Sequence, residues 1–401
     1  MTYTHYGWPS SPYSAKSRAA LRASGLPWTE AQPHALSLAW LQAQVGRKVI
    51  PVMRTPSGAF VQDSSRIVDA LTEASGRPLV PGRGLARVLA SWVEVFADEW
   101  MIYPAMYFRW RYHGGDFDYM VRDFGRCALP GLPAMVQRRG GLEVAKAMSR
   151  YLPIMGIDEQ TGPAIETLTL ELLDRLQARL SESPYVLGDT PCVADFALYG
   201  PLGAHVGRDP WSAGVIDARP AVRRWLDALD EGRDGAATLS LDETLSPTLA
   251  SLLRLMFEIA SPAWLEAHRF ASEQWNGPGS SLRRRVGTFD ARMPAAEGIT
   301  HSMKLTAVTV WKMHRPLRAW RELGEAESDA ARRVLESLGA QSLIELPLLE
   351  GFDLESIAWR QDKTSFGPLG KLLDGLTPAL RRAPAWRPLH PLRRGPVRAL
   401  G

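Results

Sequence analysis

The spacing of apolar residues changes character twice along the chain. In residues 1–80, short apolar runs alternate with helical patterns. "TYTHYG", "VIPVM" (49–53) and "GAFVQ" (58–62) carry the β-branched and aromatic residues of strands. The last two are joined by a turn around Pro56-Ser57-Gly58. "SPYSAKSRAALRASG" places Tyr13, Ala20 and Leu21 on one helical face, and "DSSRIVDALTEASG" reads as a second helix. Each stops at a glycine with a proline just beyond, at Gly25-Pro27 and Gly76-Pro78. The predicted order is β-α-(β)-α-β-β-α.

From Leu85 the pattern is helical only. Leu89, Trp92, Val93, Phe96, Trp100, Tyr103, Met106, Tyr107 and Trp110 recur mostly at spacings of three and four, which predicts a long helix with a broad aromatic face. Pro104 falls inside it and predicts a kink or break, because proline lacks a donor and clashes with the preceding turn. Ile165, Leu168, Leu172, Leu176 and Leu180 mark another helix. "PYVLGDTPCVADFALYG" begins a third and "RPAVRRWLDALDEG" a fourth. Beyond about residue 238, "SPTLASLLRLMFEIA" and "SPAWLEAHRFASEQW" read as two helices, and "NGPGSSLRRRVGTFDARMPAAEG" as a loop. "LTAVTVWKMHRPLRAWREL" and "ESDAARRVLESLGA" read as helices again. No fixed-period repeat is present. The chain divides into 1–80, 84–235 and a mainly helical 238–401.

Composition narrows the class. At 401 residues the chain exceeds one ordinary domain, and 45% apolar with 22% charged residues is that of a soluble globular protein. A net charge of +4 gives nucleic-acid binding little support. The local basic bias lies at 378–401, with six arginines, five prolines and no acid, and reads as an extended tail. The two cysteines, Cys127 and Cys192, lie far apart, so no disulfide framework is expected. No signal peptide or membrane span is expected, and the cytoplasm is the default. The eight histidines are scattered without metal-ligand spacing, so no metal site is expected.

Four stretches resemble the cytosolic glutathione S-transferase superfamily in order and spacing. "SSPYSAKSRAALRASGLPW" resembles its serine-type opening. "VIPVM" resembles its strand with a proline, usually cis. "QDSSRIVDAL" resembles its acid-Ser helix start. "SPYVLGDTPCVADFALYGPL" resembles the signature of its helical domain. The resemblance covers about 1–235. It implies an N-terminal thioredoxin-like α/β domain, an all-helical second domain and, here, a long extension. It implies glutathione as co-substrate, a hydrophobic electrophile as partner, and a detoxification role. A homodimer stays open, and no nucleic acid or membrane partner is implied.

Each candidate residue has a plain structural reading beside the implied one. Ser11, followed by Pro12, is a good helix N-cap. Ser246-Pro247 and Ser261-Pro262 repeat the pattern at two other expected helix starts, so Ser-Pro alone says only that a helix begins. In the family the hydroxyl at this strand–helix junction donates to the glutathione sulfur. A free thiol has a pKa near 8.5; lowering it by about two units means favouring the anion by roughly 2.7 kcal/mol. Ser10, Ser14 and Tyr6 are lesser candidates. No cysteine stands at the Ser11 position, which argues against a protein thiol nucleophile. Pro51 would expose the backbone of Ile50 to the cysteinyl part of the tripeptide. Where relatives carry lysine for the glycine carboxylate this chain has Val49, with Lys48 one further back. Asp63 and Ser64 would hold the γ-glutamyl ammonium and carboxylate at a helix N-terminus. Tyr13, Tyr103, Tyr107 and Trp110 are expected near the electrophile pocket. Asp195 reads as a structural capping residue behind Cys192. Two alternatives remain: a non-catalytic ligand- or protein-binding scaffold, and a glutathione-dependent isomerase, dehalogenase or ether-cleaving enzyme.

Overall fold

The computed structural model describes residues 2–47, 49–233, 245–294 and 298–359. Lys48 and the tail at 378–401 lie outside them. The chain opens with β1 (Tyr3–Tyr6), α1 (Pro12–Ser24), β2 (Trp28–Ala31), α2 (Ala35–Val45), β3 (Val52–Arg54), β4 (Phe60–Gln62) and α3 (Ser64–Ser75). The sheet order is β2-β1-β3-β4, with β1 and β2 parallel and the other pairs antiparallel. This is the thioredoxin-like unit. Helices α1 and α3 end as expected, at Gly25 and Gly76, which take the left-handed conformation at φ 68° and 66°. Met53 on one sheet face joins Leu21, Ile67 and Leu71 in the main core, while Tyr6, Trp40, Leu41 and Val52 form a smaller cluster under α2.

The expected long aromatic helix is two helices, α4 (Gly84–Glu99) and α5 (Ile102–Trp110), broken at Trp100-Met101. Pro104 is the third residue of α5. The first four N–H groups of a helix have no intrahelical acceptor, so the break ahead of it removes the proline's penalty. Two helices without counterpart in the sequence patterns follow, α6 (Phe117–Ala128) and α7 (Ala134–Ser149), packed as an antiparallel hairpin. Then come α8 (Tyr151–Ile154), α9 (Thr161–Glu182), α10 (Val193–Pro201), a π turn at Leu202–Val206, α11 (Ala213–Asp217) and α12 (Pro220–Glu231). Asp195 caps α10 through the Cys192 N–H at 3.0 Å, and also accepts from the Val186 N–H and the Trp225 indole. It is a buried structural carboxylate.

Beyond residue 245 two expectations are corrected. The two Ser-Pro helices are one, α13 (Pro247–Gln274), running straight through Ser261-Pro262. Its buried stripe continues on both sides of the proline: Trp92 of α4 stacks on Trp264 with ring centroids 5.2 Å apart and meets Phe257 edge-on. Packing overrides the local stop signal, and Ser261 Oγ is left buried without a partner. The expected loop at 276–298 instead carries β5 (Leu282–Arg283) and β6 (Arg285–Arg292), and β6 pairs antiparallel with β7 (Thr300–Thr306). Gly287 and the arginines obscure the alternation of inward Gly287, Phe289 and Ala291 with exposed Thr288, Asp290 and Arg292. Then follow α14 (Ala307–Arg321), α15 (Glu325–Ser337), α16 (Gln341–Ile344) and β8 (Ile357–Ala358), parallel to β5.

Candidate functional site

Strand register brings the expected segments together. Tyr6 pairs with Val52, and Val52 with Gln62. The chain therefore leaves β1 towards Ser11, enters β3 from Pro51 and leaves β4 into Asp63 at the same end of the sheet. The Ile50–Pro51 peptide is cis. Ser11 has an extended backbone at φ −98° and ψ 116°, and its Oγ accepts from the Ser14 N–H at 3.2 Å. That bond uses a lone pair, so the hydroxyl hydrogen stays available for donation. Ser14 Oγ is buried without a partner, and Ser10 is buried. Tyr6 belongs to the cluster under α2, its ring 5.8 Å from Trp40.

At the start of α3, Asp63 lies in left-handed space at φ 87°. Few non-glycine residues do so; a short polar side chain that bonds its own backbone makes it tolerable. Here the carboxylate accepts from the Ser65 and Arg66 N–H groups at 2.8 and 3.4 Å. Ser64 is 2% exposed, and its Oγ has no partner. An unpaired buried hydroxyl is costly, and this one sits at a helix N-terminus suited to an anion.

The neighbouring serine adjoins a buried ion network. Ser65 Oγ accepts from Lys16 Nζ of α1 at 3.2 Å and from Lys312 Nζ of α14 at 3.0 Å. Both lysines also bind Asp98 Oδ2, at 2.6 and 2.5 Å, and Lys16 binds Glu94 at 2.7 Å. Arg315 joins Glu94 to Asp69. Burial opposes the charge on Lys312, but Asp63, Asp98 and Glu94 hold it protonated. Burial likewise opposes the charge on Glu94, yet Arg315, Lys16 and Lys312 hold its carboxyl well below the usual range. On Glu99 burial wins and raises the pKa, with Thr309 donating to it. Closer to solvent, Arg66 makes a two-pronged pair with Glu355 and lies over Trp311. Arg47 donates to the Leu354 carbonyl at 3.0 Å and stacks 4.5 Å from the Trp359 ring centroid. The extension thus borders the start of α3. None of these cations was among the expected site residues, and Lys312, about 250 residues away in sequence, gives no local signal.

The aromatic candidates divide. Tyr13 lines a cleft with Pro12, Ala97, Asp98, Ile102 and Pro201 and donates to the Asp98 carbonyl at 2.9 Å. This cleft holds about 200 Å³ of interatomic space, none of it wide enough for a water molecule. Tyr103, Tyr107 and Trp110 stand apart from it, each buried in the core. Tyr103 packs edge-on against His301 at 4.6 Å, Tyr107 donates to Glu166 at 2.6 Å, and Trp110 stacks on Phe124. A residue that sequence reasoning missed is His205, on the π turn. Its Nε2 is 2.9 Å from the Ser10 carbonyl oxygen and its Nδ1 2.8 Å from that of Ala105. Burial, with Arg109 nearby, pushes its pKa down to about 3. A neutral imidazole has one N–H, so it serves one carbonyl at a time. Either way it ties the loop before Ser11 to α5. Among the described residues, no group of three His, Cys, Asp or Glu side chains is placed to hold a metal, and no helix is long and apolar enough to cross a membrane.

A search of curated proteins returned no match. Similar solved structures include a glutathione S-transferase from Methylobacterium radiotolerans in complex with glutathione sulfonate. It is 19% identical, with 61% of this chain and 98% of that one covered and a TM-score of 0.35. Another, from Xanthobacter autotrophicus, is 20% identical, with 59% and 96% covered and a TM-score of 0.33. Glutathione S-transferase I bound with lactoylglutathione is 17% identical, with 63% and 99% covered and a TM-score of 0.34. The family model for the glutathione S-transferase N-terminal domain matches residues 6–79, and that for the C-terminal domain matches residues 159–228. Residues 6–79 and 159–228 therefore match the N- and C-terminal domains of glutathione S-transferases, in that order over the fold described above.

Proposed function

We propose that the protein is a cytoplasmic glutathione transferase that stabilises the glutathione thiolate for attack on a hydrophobic electrophile. The observation that carries this reading is the unpaired, buried Ser64 hydroxyl at the start of α3, beside the cis Ile50–Pro51 peptide. Ser64 and the α3 N-terminus would receive the γ-glutamyl carboxylate, Asp63 its ammonium, and the Ile50 backbone the cysteinyl unit. Ser11 would cap α1 with a lone pair and donate its hydrogen to the sulfur. A hydrogen bond to a charged group contributes about 1.5–3 kcal/mol, or one to two pKa units on the thiol. Tyr13, at the cleft beside Ser11, would face the electrophile. Arg47 is the nearest described counterpart of the missing lysine.

Titrating glutathione by calorimetry and following thiolate absorbance against pH tests this. Ser11→Ala should raise the bound thiol's pKa by one to two units. Ser11→Asp keeps the helix cap but sets a carboxylate against the sulfur, and should raise it further. Absence of binding at millimolar glutathione refutes the reading; binding with an unshifted thiol favours a scaffold. The narrowness of the cleft between α1, α4, α5 and α10 favours that second reading.

A further inference from the structure

All five large hydrophobic residues that are strongly exposed among the described residues fall in one stretch: Phe117, Leu132, Met135, Val136 and Ile154. Neither family model covers it. Three of the five crowd the tip of the α6–α7 hairpin. There, seven consecutive residues, Pro130 to Val136, are all exposed and all uncharged, in the sequence PGLPAMV. Met135 is 84% exposed, far beyond the scattered surface leucine that needs no explanation.

The tip cannot fold back to hide these side chains. Helices α6 and α7 touch backbone to backbone: a Cβ on Gly141 would lie 1.9 Å from the Val121 carbonyl oxygen, and one on Gly125 2.3 Å from that of Gln137. Phe124 and Cys127 anchor the arm in the core from below. The hairpin is therefore a stiff arm that holds an apolar point outwards.

The charge around the point is one-sided. From Phe124 to Leu142 there are three arginines, Arg126, Arg138 and Arg139, and no acidic residue. Arg138 is drawn down the arm by Asp118 at 2.8 Å. Arg126 and Arg139 are exposed, with no ion pair among the described residues. An apolar wedge with a basic collar is the pattern of a segment that lies in an anionic membrane interface. Size argues against a protein partner or a second copy: seven residues fall well short of the about 20–30 per side of a stable protein interface. A convex point also offers no groove for one. Docking of this kind needs no spanning helix.

We propose that the α6–α7 tip is a peripheral docking point for an anionic lipid surface. Leu132, Met135 and Val136 enter the headgroup boundary, and Arg126 and Arg139 meet lipid phosphates. The test is sedimentation of the full chain with vesicles of phosphatidylcholine, alone or mixed with phosphatidylglycerol. The chain should pellet with the mixed vesicles, less with phosphatidylcholine alone, and less as salt rises. Met135→Asp should lower the bound fraction about tenfold on both vesicles. Arg126→Glu with Arg139→Glu should lower it on the anionic vesicles alone. All these positions are exposed, so unfolding midpoints should not move. No pelleting with either vesicle, or binding unchanged by Met135→Asp, would overturn the proposal. So would a lipid-free dimer in sedimentation velocity that Met135→Asp disperses, since a second copy would then be the occupant.

Discussion

Asp98 offers the sharpest test of how the extension is held. Its Oδ2 accepts from Lys16 at 2.6 Å and from Lys312 at 2.5 Å, and Ser65 Oγ accepts from the same two ammoniums. All four residues are buried. Removing one partner of a buried ion pair ordinarily costs about 3–5 kcal/mol, because a charge is stranded. Here each single substitution leaves Asp98 with the other lysine, so Lys312→Met or Lys16→Met should each cost less, about 1–3 kcal/mol. After Lys16→Met, Glu94 also keeps Arg315 at 2.8 Å. The double variant strands Asp98. It should therefore lose more than the sum of the singles, by at least about 1 kcal/mol. Urea unfolding followed by tryptophan fluorescence measures all three, and an unchanged denaturant slope certifies that stability and not compactness has moved. If the double variant equals the sum within about 0.5 kcal/mol, the two lysines do not share Asp98 in solution and the geometry drawn from it is wrong.

Three further expectations follow from the same reasoning. Burial opposes the charge on Glu30, yet His5 and Arg18 hold its pKa down to about 2. Its contribution is present above the unfolded carboxyl's value near 4.3 and is lost as pH falls from there to about 2, so Glu30→Gln should cost about 3 kcal/mol at neutral pH and flatten acid unfolding in that window. His205→Leu removes the one buried donor facing the Ser10 and Ala105 carbonyls and should cost about 1–3 kcal/mol, whereas His205→Gln, which keeps a donor, should recover part of it in the same urea assay. Arg66→Ala breaks a pair that is largely solvent-exposed and should change stability by less than about 1 kcal/mol, a difference that 1 M salt erases.

The first domain was legible because its signals are local. Gly25 and Gly76 stop helices by their own conformational freedom, Ser11-Pro12 starts one, and Val52 and Met53 of one pleat face opposite clusters. The kink near Pro104 was legible too, displaced three residues towards the N-terminus because the helix breaks where the proline no longer needs a donor. What failed was decided at a distance. Ser261-Pro262 reads as a start until Trp92, some 170 residues earlier, stacks on Trp264 and holds one helix straight. Strand β6 is invisible because Gly287 and the arginines break its alternation; Gly287 is needed where a side chain would strike the Phe270 ring at 2.8 Å. At the candidate site, Asp63 and Ser64 have a motif, whereas Lys16 and Lys312 meet at Ser65 only through the tertiary packing of α1, α3 and α14.

The three stretches that the apolar spacing separates share one core. Apolar residues from Trp8 to Ile357 belong to one continuous core. Helix α14 also sets Lys312 and Arg315 against acidic groups of α4 that otherwise share Lys16 alone. A shortened chain ending near residue 233 would therefore not be a minimal version of the protein. It would strip Trp264 from Trp92 and remove Lys312 and Arg315 from the acidic face of α4, leaving Glu94 and Asp98 to share Lys16. The extension is better regarded as a missing wall of the second domain than as an appendage to it.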